Sequence, residues 1–289
     1  MRIERDEGRH RDGIATLAIM SEYVSVASTG PSAAFFDLDR TLIAGSSAFT
    51  LAIAARSMKM MPTHELMRDA ATAMAFKFWG ADDGTTDAAR DRILSFVTGQ
   101  RQDDLLALNE RVLPTLLGKI RPEARRLVDI HRHAGRATYI VSAAPKEIVE
   151  PLAISLGMTG GIGTVGTVKD GAYTGELDGP FCYGEGKVEA ITELARWEGL
   201  DLAQCYAYSD SASDLPMLSA VGHPVAVNPD ATLERHARVH GWPVVIFSQR
   251  TKTVIRRTAA GFASTALAAG TFAAGLEVGT RRAARRNVA

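Results

Sequence analysis

The sequence predicts an α/β protein: a doubly wound, mainly parallel Rossmann-like sheet with an inserted all-helical cap. Two observations predict this fold class. Short apolar runs that end in polar residues alternate with helical patterns, as in parallel sheets whose two faces are both covered. Between the first two of these runs lie about 70 residues with helical apolar spacing and almost no strand pattern.

Length and composition limit the possible classes. The chain has 289 residues and is 46% hydrophobic, which suits one large domain or a domain with an insert. Its 33 basic and 33 acidic residues cancel, so no overall charge recruits nucleic acid. Cys182 and Cys205 lack metal-binding spacing and are expected to be free thiols, which fits a cytoplasmic protein.

We predict four regions along the chain. They are an N-terminal extension (1–31), an α/β core (32–46 and 120–249), the helical cap (47–119) and a basic tail rich in Ala and Gly (250–289). The extension has a mixed-charge start and only a short apolar patch, so a signal peptide is not indicated.

The first predicted strand runs into a group of polar side chains. Ala33–Phe36 is apolar, and Asp37, Asp39 and Thr41 follow it directly. Side chains two apart in an extended chain project to the same side, so the two carboxylates need a cation or a proton between them. A metal site meets that need, but from these residues alone a solvated turn that closes the strand is an equally good interpretation.

Residues 47–119 carry the pattern of the helical cap. Apolar residues such as Leu66, Ala70 and Met74 recur at helical spacing. Five of the nine methionines lie in this region, which suits either an adaptable substrate lining or the core of a small bundle. Arg92 is a candidate partner for a substrate carboxylate or a second phosphate, and it is equally well explained as an exposed cap residue.

After the cap, a helix predicted between Pro122 and Gly135 leads to the strand Ala137–Val141. The strand is expected to end at Ser142, and a further helix begins after Pro145. A Ser at this position can bind phosphate together with the N–H groups of the following helix. It is also a routine helix N-cap.

The segment Gly160–Gly179 contains Asp170-Gly171 between two short alternating runs and predicts a β-hairpin with no role in the chemistry. Lys187 then opens an amphipathic helix. A lysine there is ordinarily solvated and slightly unfavourable at the positive end of the helix dipole, and a nearby phosphate would reverse that sign.

A third apolar strand, Gln204–Tyr208, leads into Asp210 and Asp214. The two carboxylates repeat the arrangement after the first strand, and both pairs can converge on Mg2+, which prefers oxygen ligands. Asp214 is equally suited to capping the next helix. Two later runs, Pro224–Val227 and Pro243–Phe247, bring the predicted sheet to roughly five parallel strands.

Polar groups therefore follow strands or open helices at four points in a fixed order. They are Asp37, Asp39, Thr41, Ser142, Lys187, Asp210 and Asp214. In type and order they resemble the four motifs of the haloacid dehalogenase (HAD) superfamily of hydrolases. The resemblance extends with gaps from Ala33 to Phe247 and is closest to subfamily IB, the phosphoserine-phosphatase-like branch. The ordered set is far more specific than any one motif.

The resemblance implies a Mg2+-dependent phosphatase that acts on a small phosphorylated substrate through an aspartyl-phosphate. It makes Asp37 the nucleophile and Asp39 the general acid and base. It assigns the orientation and neutralisation of the phosphoryl group to Thr41, Ser142 and Lys187.

The same resemblance implies the metal site. Asp37, the carbonyl of Asp39 and Asp210 would hold Mg2+. Asp214 would steady either the metal shell or Lys187.

Departures from the phosphoserine enzymes leave the substrate open. Those enzymes usually place an ammonium-binding Glu a few residues after the first motif, where this chain reads Ala44–Ser47. Their fourth motif typically has Gly, Gly and Asn where this chain has Ser209, Ser211 and Ser213. Phosphoserine is therefore not the favoured substrate. The alternatives are a phosphotransferase to an alcohol, a lysophospholipid or lipid-linked phosphate phosphatase, and a ligand-binding protein on a retained fold.

The tail holds nineteen uncharged residues, Thr258–Leu276, flanked by Arg256, Arg257 and the cluster Arg281–Arg286. This length could just span a bilayer, and basic flanks suit anionic head groups. Most of the stretch is Ala, Gly, Ser and Thr, so insertion would be marginal. Two hypotheses remain: peripheral membrane contact, and an Ala-rich tail outside the catalytic core.

Overall fold

The structure is a computed structural model and describes residues 30–58, 60, 90, 91, 94 and 97–247. The predicted N-terminal extension before residue 30, Arg92, much of the predicted cap and the tail after residue 247 lie outside the described residues. The region boundaries and the membrane hypothesis therefore stay predictions. Within the described ranges, no helix is long and apolar enough to cross a membrane.

The chain alternates strands and helices as predicted. The strands are β1 (Ala33–Asp37), β2 (Ala137–Pro145), β3 (Gly160–Thr164), β4 (Gly166–Lys169), β5 (Ala172–Leu177), β6 (Tyr206–Ser209), β7 (His223–Val227) and β8 (Val244–Val245). The α-helices are α1 (Ser47–Ser57), α2 (Gln102–Ala107), α3 (Asn109–Leu117), α4 (Pro122–His133), α5 (Lys146–Ser155), α6 (Glu185–Glu198), α7 (Leu215–Ser219) and α8 (Ala231–His240). Short 3-10 turns occupy Leu202–Gln204 and Ala212–Asp214.

Six of the strands form one sheet in the order β3-β2-β1-β6-β7-β8, and every neighbouring pair is parallel. Strands β2 and β3 lie on one side of β1, and strands β6, β7 and β8, which come later in the chain, lie on its other side. The strand order thus reverses at β1. Open α/β sheets bind their ligands beyond the carboxyl ends of the strands at such a point.

Both faces of the sheet are buried. Along β1, Ala34 and Phe36 belong to a core shared with helices α1 to α5, whereas Ala33 and Phe35 belong to a core shared with α6 to α8. This burial on two sides explains why β1 reads as an uninterrupted apolar run instead of an alternating one. The doubly wound α/β fold predicted from the sequence is confirmed.

The two ends of the predicted cap insertion meet beside the core. The N–H of Ala44 donates to the carbonyl of Lys119 at 2.9 Å, and the N–H of Arg121 donates to the carbonyl of Leu42 at 2.9 Å. Helices α1, α2 and α3 lie between these points in the sequence and are the described helices of that region. The chain therefore leaves and rejoins the core at one place.

The prediction of a single hairpin over residues 160–179 was partly wrong. Strands β4 and β5 do form an antiparallel hairpin. Its turn residues Asp170 and Gly171 have φ angles of 53° and 78°, as the Asp-Gly pair predicts. The first five residues, however, are β3, a sixth strand of the main sheet.

Glycines hide β3 from an apolar pattern. A Cβ on Gly161 would lie 2.6 Å from the carbonyl oxygen of Val149, and one on Gly163 would lie 2.7 Å from that of Ala144. Strand β3 packs directly against the backbone around α5, so the positions that would carry large apolar side chains must be glycine.

Candidate active site

The candidate site forms at the carboxyl ends of β1, β2 and β6. Asp37 is the last residue of β1, and the register of the sheet brings Ser142 of β2 and Asp210, just after β6, beside it. All three residues are buried. Asp37 thus meets residues more than 100 positions away in the sequence, because parallel strands end at the same edge.

The sequence predicted that β2 ends at Ser142, but the strand continues beyond this residue. The regular pairing with β3 stops at Val141, and the strand continues through an irregularity to Pro145. Ser142 lies in this irregular part, and its Oγ accepts a hydrogen bond from the N–H of Ala144 at 3.2 Å. Its hydroxyl hydrogen has no acceptor among the residues that the structure describes.

Lys187, near the start of α6, lies between two carboxylates. Its Nζ donates to Asp37 Oδ1 at 2.7 Å and to Asp214 Oδ2 at 2.8 Å, and its side chain is 3% exposed. Burial alone would lower the pKa of Lys187, but the negative charges of Asp214 and Asp37 outweigh burial and raise its pKa above the ordinary value. Lys187 is therefore a fixed cation within the site.

Asp214 contacts Lys187 instead of capping a helix. Its Oδ2 accepts hydrogen bonds from Lys187 and from Ser209 Oγ, the latter at 2.6 Å. Its side chain makes no capping hydrogen bond to α7. Of the roles left open by the sequence, these contacts favour the one in which Asp214 steadies Lys187.

The loop after β1 turns sharply within the first motif. Arg40 has a φ of 62°, in the left-handed region that side chains other than glycine rarely adopt. Asp39 Oδ1 accepts a hydrogen bond of 2.7 Å from the N–H of Ser47, at the start of α1. Burial raises the pKa of Asp39, and the bond from Ser47 opposes that rise. Thr41 Oγ1 is buried and makes no hydrogen bond within the described residues.

Arg40 makes a contact that the sequence did not predict. Its Nε and Nη2 both contact Oδ2 of Asp210. The side chain of Arg40 is 52% exposed, whereas that of Asp210 is 5% exposed. A half-exposed cation thus covers a buried carboxylate at the end of β6.

The charges at the site do not balance. Four carboxylates surround two cations, and Asp230 and Arg121 also act on Asp210; the four carboxylates and two cations are Asp37, Asp39, Asp210, Asp214, Lys187 and Arg40. Burial raises the pKa of Asp37 and of Asp210, and the neighbouring carboxylates add to that rise while Lys187 and Arg40 oppose it. Oxygen donors and an excess of acidic groups over basic ones fit a hard divalent cation such as Mg2+. Within the described ranges no three acidic, His or Cys side chains already form a metal-binding group.

The sequence analysis missed three contributions to this site. The position of Arg40 between motif residues could have marked it as part of the site. Its contact with Asp210 could not be predicted, because the two residues are 170 positions apart. Ser209 was noted only as a departure from the family pattern. Ser47 contacts Asp39 through its backbone N–H as well as its side chain, and its place in a helical pattern did not reveal this contact.

Comparisons with known proteins identify the family of this chain. A family model described as haloacid dehalogenase-like hydrolase matches residues 34–219. A probable phosphatase of Mycobacterium tuberculosis is 42% identical over 221 residues, covering 75% of this chain and 76% of the relative. A phosphoserine phosphatase of the same organism is 38% identical over 214 residues, covering 73% of this chain and 70% of the relative.

Among solved structures, a protein of unknown function from Bordetella pertussis is 29% identical to this chain. The two structures superpose with a TM-score of 0.66 over 75% of this chain and 99% of that one. The match therefore covers nearly all of that protein.

Proposed function

Because the chain belongs to the haloacid dehalogenase-like hydrolases and is a phosphatase, we propose that Asp37 forms an aspartyl-phosphate during hydrolysis of a small phosphomonoester. One observation carries this proposal. Asp37 lies at the reversal point of the strand order, buried and held by Lys187, with a second carboxylate two residues further on. Lys187 opposes the rise that burial causes in the pKa of Asp37 and so favours the anionic form that attack on phosphorus requires.

The contacts of Asp37 orient it for attack. Lys187 holds Oδ1 of Asp37, and Asp214 holds Lys187 in turn. The carboxylate therefore has one preferred orientation before substrate binds, which lowers the entropic cost of in-line attack. Lys187 also offsets the negative charge that the phosphoryl oxygens bring into the site.

Asp39 is the proposed general acid and base. Hydrogen bonds from Ser47 hold the carboxyl of Asp39 in place, and this carboxyl is proposed to exchange a proton with the leaving oxygen and later with the attacking water. Burial raises the pKa of Asp39 and so favours the protonated form that the first step needs. The two carboxylates thus divide the work: Asp37 attacks and Asp39 transfers protons.

The phosphoryl group is proposed to bind between Thr41, Ser142 and Lys187. The buried Oγ1 of Thr41 makes no hydrogen bond within the described part of the chain, and the hydroxyl hydrogen of Ser142 is free to donate. A buried hydroxyl without a partner is costly, so a phosphate oxygen would satisfy it.

A bound Mg2+ would neutralise charge and act as a Lewis acid on a phosphoryl oxygen. Asp37, the carbonyl of Asp39 and Asp210 are the proposed ligands. Asp214 is proposed to act through Lys187, because the hydrogen bonds that its side chain accepts within the described residues come from Lys187 and Ser209.

Metal removal tests the proposed reaction. With a generic aryl phosphate, we expect hydrolysis in Mg2+, its loss in EDTA and its recovery when Mg2+ is restored. In acid-quenched samples, mass spectrometry should find phosphate on the peptide that contains Asp37. Equal rates in Mg2+ and EDTA would contradict the proposed metal dependence, and a phosphorylated peptide that lacks Asp37 would contradict the proposed nucleophile.

The substrate prediction concerns the residue in place of the ammonium-binding Glu. Ser46 lies in the corresponding stretch, and its Oγ is the N-cap of α1, so it offers no carboxylate to an amino group. We expect phosphoserine not to be clearly the best substrate in a screen of kcat/KM over phosphoserine, other small phosphomonoesters, nucleotides and lysophosphatidic acid. A dominant preference for phosphoserine would refute this expectation. Added acceptor alcohols separate hydrolysis from phosphoryl transfer.

A further inference from the structure

The two cations of the site are held very differently. Lys187 is 3% exposed and lies between two carboxylates, Asp37 and Asp214, at 2.7 and 2.8 Å. Arg40 is 52% exposed, and among the described residues its guanidinium contacts one carboxylate oxygen, Oδ2 of Asp210. Moving Lys187 away would leave two buried carboxylates without a counter-ion, whereas Arg40 can move into water.

We propose that Arg40 is an internal counter-ion that competes with the divalent cation for Asp210. The inference rests on the Mg2+ site proposed above, in which Asp210 is a ligand. Arg40 neutralises Asp210, and metal binding displaces the guanidinium toward solvent. The apparent association constant for Mg2+ is then the intrinsic constant multiplied by the fraction of time that Arg40 leaves the carboxylate uncovered.

The charge distribution around Asp210 supports exchange over joint binding. A guanidinium on one oxygen of Asp210 and a divalent cation on the other would be close like charges in a largely buried site, where such repulsion is strong. The exposed side of Arg40 gives the displaced guanidinium a hydrated position. The side chain of Arg40 can move toward water while its backbone stays in place, since the N–H of Arg40 donates to the carbonyl of Gly45 at 3.1 Å.

The test replaces Arg40 without disturbing the loop. Asn tolerates positive φ angles, so Arg40→Asn removes the charge and keeps the backbone conformation, and Arg40→Gly provides a second variant suited to a φ of 62°. Arg40→Lys keeps the charge. Calorimetric titration of the full chain with Mg2+ alone measures the dissociation constant, and Tm measured against Mg2+ concentration gives an independent readout.

We expect Arg40→Asn and Arg40→Gly to bind Mg2+ about tenfold more tightly than the unsubstituted protein. Their Tm should also rise more at the same Mg2+ concentration, while Arg40→Lys should stay close to the unsubstituted protein. Arg238→Asn is the matched control. This substitution removes the same charge from an exposed pair with Glu234. Arg238 lies about 12 Å along α8 from Asp230, and the N–H of Asp230 donates to the carbonyl of Asp210.

Two results would overturn the inference alone. Weaker Mg2+ binding in Arg40→Asn would mean that Arg40 positions Asp210 for the metal, and unchanged binding would mean that Arg40 has no influence on it. Asp210→Asn should lose Mg2+ binding and thereby locate the site. If the unsubstituted protein binds no Mg2+, the proposed metal site and this inference both fail.

Discussion

Asp37→Asn is expected to lower kcat by roughly a thousandfold or more while the protein stays folded. Asn has the size of Asp but cannot form the acyl phosphate, so the first chemical step is lost. Lys187 keeps its hydrogen bond to Asp214, and the carbonyl oxygen of the introduced amide can still accept a hydrogen bond from Lys187.

The same substitution should not destabilise the protein. Burial raises the folded-state pKa of Asp37 above its unfolded value, so the carboxyl favours folding while it is protonated and that contribution is lost as pH rises through the folded-state pKa. An amide carries no such charge. We therefore expect Asp37→Asn to be at least as stable as the unsubstituted protein above neutral pH without Mg2+, with a smaller difference at acid pH.

Asp129→Asn is the control for this experiment, because Asp129 is a half-exposed residue of α4 that pairs with Arg132. It should leave both kcat and the unfolding free energy nearly unchanged. Urea unfolding at several pH values and initial rates on one aryl phosphate give the two readouts. Substantial turnover by Asp37→Asn would show that another group attacks phosphorus.

Most of the fold could be predicted because burial leaves a signature in the sequence. Strand β1 is apolar at every position up to Asp37 since both of its faces are covered. Helix α4 begins at Pro122 and ends before Gly135, as the residue preferences at helix ends predict. Strand β3 could not be predicted, because its close packing on α5 selects glycine at Gly161 and Gly163.

The residue types of the candidate site could be predicted, but not their partners. Asp37, Lys187 and Asp210 follow strands or open helices, which places them at one edge of the sheet. Whether a carboxylate contacts a lysine, an arginine or a helix end depends on side chains brought together over long sequence separations. Asp214 illustrates this: its local sequence suits a helix cap, and its geometry places it on Lys187.

The second large effect is expected for Lys187→Met, a substitution that keeps a long side chain but removes the charge. Asp37 and Asp214 would then be two buried carboxylates without their shared cation. Breaking a buried ion pair from one side costs about 3–5 kcal/mol of unfolding free energy. Activity should fall by roughly a hundredfold or more, because a fixed positive charge next to the transferred group is lost.

The pH dependence separates lost charge compensation from lost packing. Without Lys187 the pKa of Asp37 rises further above its unfolded value, so the variant should lose most stability as pH increases and recover part of it in acid, where the carboxyl is protonated. Lys119→Met is the matched control. Lys119 is half-buried and donates to Thr50 Oγ1 at 2.6 Å, and it contacts no carboxylate in the part of the chain that the structure describes. Its replacement should therefore cost little more than one hydrogen bond at any pH. A loss in Lys187→Met that is independent of pH, or no larger than the control, would show that Lys187 acts through packing alone.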